Sequence, residues 1–329
     1  MSKSILAQVK EIIPPLSAGL HKGQGGRVGI FGGSRDYSGA PYFAGIAALR
    51  AGADLAHVIC SPQAAPAIKS YTPDLMVYPI LASDTSTTEL TDLLDALFKR
   101  LHVLVIGPGL GREQHMQGFA RLAIQLARAH NLYVVLDADA LLLIQEDPDI
   151  IRGYTKAVIT PNVVEFAHTC ESLQVPAKTN KKTQASITLS DALGGVTVLQ
   201  KGETDIISFS VTVHGSGGER ETAEVVTKGG LKRCGGQGDL LCGFIGAMLA
   251  WSKCYEEGVY TKPAVPLSPT RLPLLSSVGA AILTRTISRR AYEKHGRATL
   301  TSDMIAEIGP AFIDVFEGGG SKGPANAGL

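Results

Sequence analysis

Short apolar runs alternate with longer helical patterns along this 329-residue chain, and several of the runs end in glycine or a polar residue. The runs cover residues 28–31, 55–60, 75–80, 103–106, 133–136, 157–159 and 196–199. Helical patterns lie between several of them, at 42–51, 89–99, 116–129 and 184–193. Such an alternation predicts an α/β fold, a mainly parallel central sheet with helices on both faces. Residues 206–210 and 211–214 follow back to back and predict an antiparallel hairpin at the sheet edge. The proline-rich stretch 262–273 reads as a loop, and helices are expected at 274–294 and 301–316. No repeat or linker divides the core, so residues 5–317 are expected to form a single domain. The tail 318–329 has no apolar content and is expected to be disordered.

In sheets of this kind ligands gather at the carboxyl ends of the strands. The loops found there are GGSRDYSGAP at 32–41, GPGLG at 107–111, DAD at 137–139, TPNVVEF at 160–166 and QKGETD at 200–205. The first is no dinucleotide fingerprint, and the chain has no Gly-Lys pair for a phosphate-binding P-loop. GPGLG reads as a turn. Asp137 and Asp139 suit either magnesium or the capping of the next helix. Asn162 and Glu165, three apart at a helix start, suit either a capping box or the waters around a magnesium ion. QKGETD reads as a hairpin turn whose Lys201 and Gly202 are free to touch a nucleotide.

The run RCGGQGD, residues 233–239, is followed at once by the apolar helix pattern 240–251. Glycines at 235, 236 and 238 let backbone N–H groups converge on an anion, and a helix N-terminus favours phosphate. Asp239 repels phosphate, so it serves either as the helix cap or as a base for a hydroxyl that attacks the phosphate.

A net charge of +1 and 6% aromatic residues give no case for nucleic acid. No apolar stretch is long enough for a membrane span. Five irregularly spaced cysteines without a C-x-x-C pair indicate reduced thiols rather than a zinc or redox site. With Glu11 early in the chain and no signal-type apolar region, a cytoplasmic location is expected.

Taken in order, these motifs resemble the ribokinase-like superfamily, in which N-x-x-E supports magnesium and G-x-G-D supplies an anion hole and a catalytic aspartate. The stretches HKGQGGRVGIFGGSRDYSGAPYFAGIAALRAGADL, VIGPGLGRE, VVLDADAL, ITPNVVEF, LQKGETD and KRCGGQGDLLCG resemble more closely the eukaryotic ATP-dependent (S)-NAD(P)H-hydrate dehydratases. That resemblance implies a ribokinase-like fold, ATP as co-substrate, Mg2+, and repair of hydrated NADH and NADPH. The ring hydroxyl would be phosphorylated and phosphate then eliminated. By the same resemblance Asp239 is the base, with Gly236 and Gly238 stabilising the phosphate in flight. Gly109, Asn162, Val163, Val164, Glu165, Phe166, Ala167 and His168 would contact the hydrate together with Asp239. Lys201, Gly202, Glu203, Thr204 and Asp205 would hold ATP. So would Gly229, Gly230, Leu231, Lys232, Arg233, Cys234, Gly235, Gly236, Gln237 and Gly238. Glu165 would steady magnesium through water. A small-molecule kinase of a vitamin precursor or sugar alcohol is the alternative, and a nucleotide-binding regulator a further one. A homo-oligomer is left open.

Overall fold

The computed structural model describes residues 3–19, 21–179, 181–211, 218–260 and 262–318. Seven strands run parallel: β1 (Arg27–Phe31), β2 (Leu55–Ile59), β3 (Met76–Tyr78), β4 (Val103–Ile106), β5 (Tyr133–Leu136), β6 (Ala157–Ile159) and β7 (Thr197–Gln200). Two more, β8 (Asp205–Val211) and β9 (Glu219–Val225), add on antiparallel. Among the described residues all nine form one sheet, ordered β3-β2-β1-β4-β5-β6-β7-β8-β9.

Helix α1 (Ile5–Ile12) precedes the sheet, and α2 (Gly39–Ala51), α3 (Ala65–Tyr71), α4 (Thr87–Phe98) and α5 (Gln114–Ala129) connect its first strands. Then come α6 (Leu141–Glu146), α7 (Val163–Ser172) and α8 (Lys182–Ala192). After the sheet follow α9 (Gln237–Glu257), α10 (Leu272–His295), α11 (Thr301–Ala306) and α12 (Ile308–Phe312).

The central strands β4 and β5 are apolar throughout because both sheet faces are covered there. Val103, Val105, Tyr133 and Val135 enter one core with residues of α1, α2, α9 and α10. Their neighbours Leu104, Ile106, Val134 and Leu136 enter a second core with α4 to α8. The alternation along each strand thus feeds two layers.

Three local expectations change. The second hairpin strand is Glu219–Val225, paired from Asp205↔Val225 to Val211↔Glu219. Val211 ends β8, and 212–214 lie outside the described residues. In ERETAEV only Ala223 and Val225 are buried, so this edge strand carries its charges outward and has no apolar run to betray it. The loop 262–273 is shorter than expected, since α10 already begins at Leu272 and seats Pro273 in its first turn, where a missing N–H costs nothing. The helix expected at 301–316 breaks at Glu307, just before Pro310, whose ring nitrogen cannot continue the hydrogen-bond ladder. The tail beyond Gly318 lies outside the described residues.

Helix α9 is buried along most of its length, against α2 on one side and the sheet on another. At Gly243 an added Cβ would overlap the carbonyl oxygen of Ala44 in α2. Gly243→Ala is therefore expected to destabilise the protein by about 1–3 kcal/mol, the cost of overpacking a closed contact. Thermal melting of the variant would check this, and an unchanged midpoint would show that α2 can give way.

Candidate active site

Three adjacent strand ends are tied together by one carboxylate. Asp137 follows β5, and its Oδ1 accepts from Thr160 Oγ1 after β6 and from Lys201 Nζ after β7, each at 2.7 Å. Asp137 is buried, and Lys201 also lies 3.9 Å from Glu165 Oε2. Burial works against the Lys201 ammonium, but the Asp137 and Glu165 carboxylates together hold its pKa above the ordinary lysine value. The Lys201 side chain, expected to be free for a nucleotide, is instead engaged here.

Asn162 and Glu165 form a capping box on α7. Asn162 Oδ1 accepts from the N–H groups of Val164 (2.9 Å) and Glu165 (3.0 Å), and Glu165 Oε2 accepts from Asn162 N–H (2.7 Å). Burial first, and then Asp137 and Asp139, raise the Glu165 pKa against the pull of Lys201 and the Asn162 N–H. Val163, Val164, Ala167 and His168 are exposed on α7. Phe166 differs from these neighbours in that its side chain is buried in the second core.

Helix α9 starts earlier than its apolar pattern suggests. Its N-cap is Gly236, at φ +97°, a left-handed conformation that side chains resist. Asp239 is the third residue of the helix and not its cap, which corrects one of the two readings left open by the sequence. The N–H groups of Gly235, Gly236, Gly238 and Asp239 have no acceptor among the described residues. The loop before them is held from outside. Thr301 Oγ1 donates to Gly235 O (2.6 Å), Cys234 Sγ donates to Thr299 O (3.1 Å), and the Phe43 ring packs against Gly236. A Cβ at Gly238 would stand 3.6 Å from Lys201 Nζ and 3.7 Å from Asp137 Oδ2, so the helix start overhangs that pair.

Asp239 is half-buried and its carboxylate accepts no hydrogen bond among the described residues. Burial, and next the Asp137 charge, push its pKa up to about 7 against the opposing Lys201. An unpaired carboxylate beside unpaired N–H donors can take a proton while the donors hold an anion.

The other loops are latched into place. Gly109 O accepts from the N–H groups of Gly33 (3.0 Å) and Ser34 (2.8 Å), joining the loops after β4 and β1. Asp139 does not cap the following turn; it accepts from Gly111 N–H and Arg112 Nε, each at 3.2 Å. In the expected nucleotide segments, Gly230 is buried with its N–H on Ser288 Oγ (3.2 Å), Arg233 Nη1 donates to Gly230 O (2.9 Å), and Gln237 Nε2 donates to Lys232 O (3.2 Å). Gly229 lies beside Arg285, and Leu231 is exposed. The turn at Gly202, Glu203, Thr204 and Asp205 is gripped by Arg285 from α10. Sequence reasoning missed Arg285, Thr301 and Phe43, for which no local signal exists. Among the described residues no cluster of three or more His, Cys, Asp or Glu is placed to hold a metal ion, and no helix is long and apolar enough to cross a membrane.

Residues 28–310 match the family described as NAD(P)H-hydrate dehydratase. The chain is 44% identical over 321 residues to an ATP-dependent (S)-NAD(P)H-hydrate dehydratase from Mycosarcoma maydis, covering 95% of this chain and 89% of that protein. It is 43% identical over 316 residues to the human protein of that name, covering 96% and 85%. Among solved structures, a ribokinase-like superfamily protein from Enterococcus faecalis superposes with a TM-score of 0.68 at 22% identity, covering 96% of this chain and 95% of that one. A Bacillus subtilis ADP/ATP-dependent NAD(P)H-hydrate dehydratase co-crystallised with ATP/Mg2+ gives 0.65 at 21% identity, covering 94% and 97%. The sheet order and the helices on both faces are thus those of a ribokinase-like fold, and by sequence the chain belongs to the NAD(P)H-hydrate dehydratase family.

Proposed function

We propose that this protein uses ATP to dehydrate the S form of hydrated NADH and NADPH. The observation that carries the reading is Asp239, its carboxylate without a partner among the described residues and with a pKa near neutrality, beside the free N–H groups of Gly235, Gly236, Gly238 and Asp239. The ring hydroxyl gives its proton to Asp239, and its oxygen attacks the terminal phosphorus of ATP as ADP departs. The N–H groups of Gly235, Gly236, Gly238 and Asp239 receive the negative oxygens of the phosphoryl group in transfer. In the ester that results, the ring nitrogen lone pair expels phosphate as the carbon–oxygen bond breaks. Loss of a proton from the neighbouring ring carbon then restores the reduced nicotinamide. The enzyme performs a phosphoryl transfer, and the substrate's own nitrogen drives the elimination.

The exposed start of α7, with Asn162, Val163, Val164, Glu165, Ala167 and His168, and Gly109 at the end of β4 supply the contact surface for the hydrate. The turn Gly202–Asp205 and the segment from Gly229 to Gly238 supply that for ATP. Magnesium needs only one or two carboxylates and otherwise keeps its waters, so the pair Asp137 and Glu165, at 2.7 and 3.9 Å from Lys201, fits it although no cluster of three carboxylates is present among the described residues. Asp137 and Glu165 would hold the waters of the ion, which would offset charge on the nucleotide phosphates. All five cysteines are free thiols, which supports a cytoplasmic location.

Supplied with hydrated NADH, ATP and magnesium, the protein is expected to restore the near-ultraviolet absorbance of reduced nicotinamide, with ADP and phosphate appearing in step. A kinase of a stable alcohol would leave a persistent phosphate ester instead. Phosphate release without recovered absorbance would defeat the dehydratase reading.

Asp239→Asn is expected to lower turnover about a hundredfold or more, the range for loss of a general base. In the wild type kcat/KM should rise with pH through an inflection near 7, because the base must be ionised. Stability moves the other way. The folded carboxyl keeps its proton up to about 7 whereas the unfolded one loses it near 3.8, so wild-type stability falls as pH rises across that window and stays lower above it. Asp239→Asn cannot ionise and should melt above the wild type at pH 8, by on the order of 2–4 kcal/mol, with the gap closing toward pH 4. Melting curves across that range read the effect directly. Parallel curves at every pH would show that Asp239 is not the strained group described.

A further inference from the structure

The turn between β7 and β8 and the chain leaving β9 are joined by a single guanidinium. Arg285 of α10 donates from Nε to Asp205 Oδ2 (2.6 Å), from Nη2 to Gly202 O (2.9 Å), and from Nη1 to Glu203 O (2.8 Å) and Thr227 O (3.1 Å). The side chains of Arg285 and Asp205 are only 12% and 9% exposed. The second Asp205 oxygen accepts the Gly202 N–H at 3.0 Å and closes the turn.

A peptide unit is planar and trans, so a carbonyl drawn to one side sends the next residue's N–H to the other. With the Gly202, Glu203 and Thr227 carbonyls turned onto Arg285, the N–H groups of Glu203, Thr204 and Lys228 face away from it. None of these three finds an acceptor among the described residues. Three unpaired amides pointing off one guanidinium make a ready surface for hydrogen-bond acceptors that carry negative charge. A lysine cannot reproduce this, since only a planar fork reaches four acceptors at once.

We propose that Arg285 is a positioning residue for the nucleotide: it holds three carbonyls inward so that the amides of Glu203, Thr204 and Lys228 donate to acceptor atoms of ATP. The assignment rests on the reading of this turn as a nucleotide site. Arg285 touches neither ATP nor the hydrate and acts only through the backbone it grips.

Residue-resolved hydrogen exchange on the wild type, with and without saturating ATP and magnesium, reads the three amides directly. They should become protected when ATP binds. Arg285→Lys keeps the charge opposite Asp205 and loses the fork. It should lose that protection and raise the KM for ATP about tenfold or more, the worth of one or two hydrogen bonds. Its kcat at saturating ATP and its affinity for hydrated NADH should stay within about twofold, as for a loss of uniform binding. Should Arg285→Lys fail to fold, the exchange data on the wild type still decide. Absence of protection in saturated wild type, or unchanged ATP affinity in folded Arg285→Lys, overturns the assignment. An equal loss of affinity for both ligands overturns it as well, since a general loosening does that. Should the wild type bind ATP with these amides protected yet restore no nicotinamide absorbance, the Arg285 assignment holds and only the dehydratase reading falls.

Discussion

Helix α9 meets its neighbours without side chains at two contacts. Gly243 lies on the backbone of Ala44, and at Gly246 a Cβ would come within 2.8 Å of Val105 Cγ2 and 3.2 Å of Val28 Cγ1. The helix therefore sits deep enough for its first turn to overhang the ends of β5 and β7, where Asp137 and Lys201 lie. A side chain at either glycine would lift the helix and carry Asp239 and its neighbouring amides off that pair. Burial of Phe244, Ile245, Leu249 and Trp251 along the same helix contributes about 1.5–3 kcal/mol each. An anchor of that size keeps the N-terminus in place although a strained carboxylate is built into it.

Charge at the strand ends is deliberately unbalanced in its effect. Asp137 occupies Lys201 at 2.7 Å and is itself steadied by Thr160, so that cation is already half spent. Glu165 is farther from it, at 3.9 Å, and the Asp239 carboxylate has no partner among the described residues. Burial raises the pKa values of both Glu165 and Asp239, and the Lys201 ammonium opposes it in each. Ionising Asp239 thus costs folding energy, and the same cost makes it a competent base near neutral pH.

The parallel part of the sheet was legible because each strand declares itself locally. An apolar run such as 103–106 or 133–136 needs no knowledge of its partners to be read. The glycine run and the carboxylate behind it were legible for the same reason. What could not be read were contacts between distant positions. Lys201 reaches back 64 residues to Asp137, and Arg285 reaches 80 residues to Asp205. Neither distance leaves a periodicity or a spacing in the chain. Asp239 illustrates a subtler limit. A Gly-Asp before an apolar run is compatible with a cap, and only the left-handed Gly236 one turn earlier shows where the helix begins. The capping box of Asn162 and Glu165 was legible, because its bonds join residues only three apart.

Neutral amides make up the donor surface of the proposed contact with the transferring phosphate, and the pKa of Asp239 explains why that matters. A lysine or arginine placed within hydrogen-bonding range of the transferring phosphate would also stand close to Asp239. An opposite charge at such range lowers a carboxyl pKa by one to three units or so, enough to make Asp239 too weak a base for a ring hydroxyl near neutral pH. Amide dipoles at the start of α9 also favour the charged form of Asp239, but each carries only a partial charge, whereas burial and then Asp137 push its pKa up against Lys201. Asp137 therefore acts twice, once by holding Lys201 away and once by repelling charge on Asp239. Among the protein's own groups beside Asp239, the donors for the transferring phosphate are fixed dipoles and the Lys201 charge is tied to Asp137, so an anion site and a base can stand side by side.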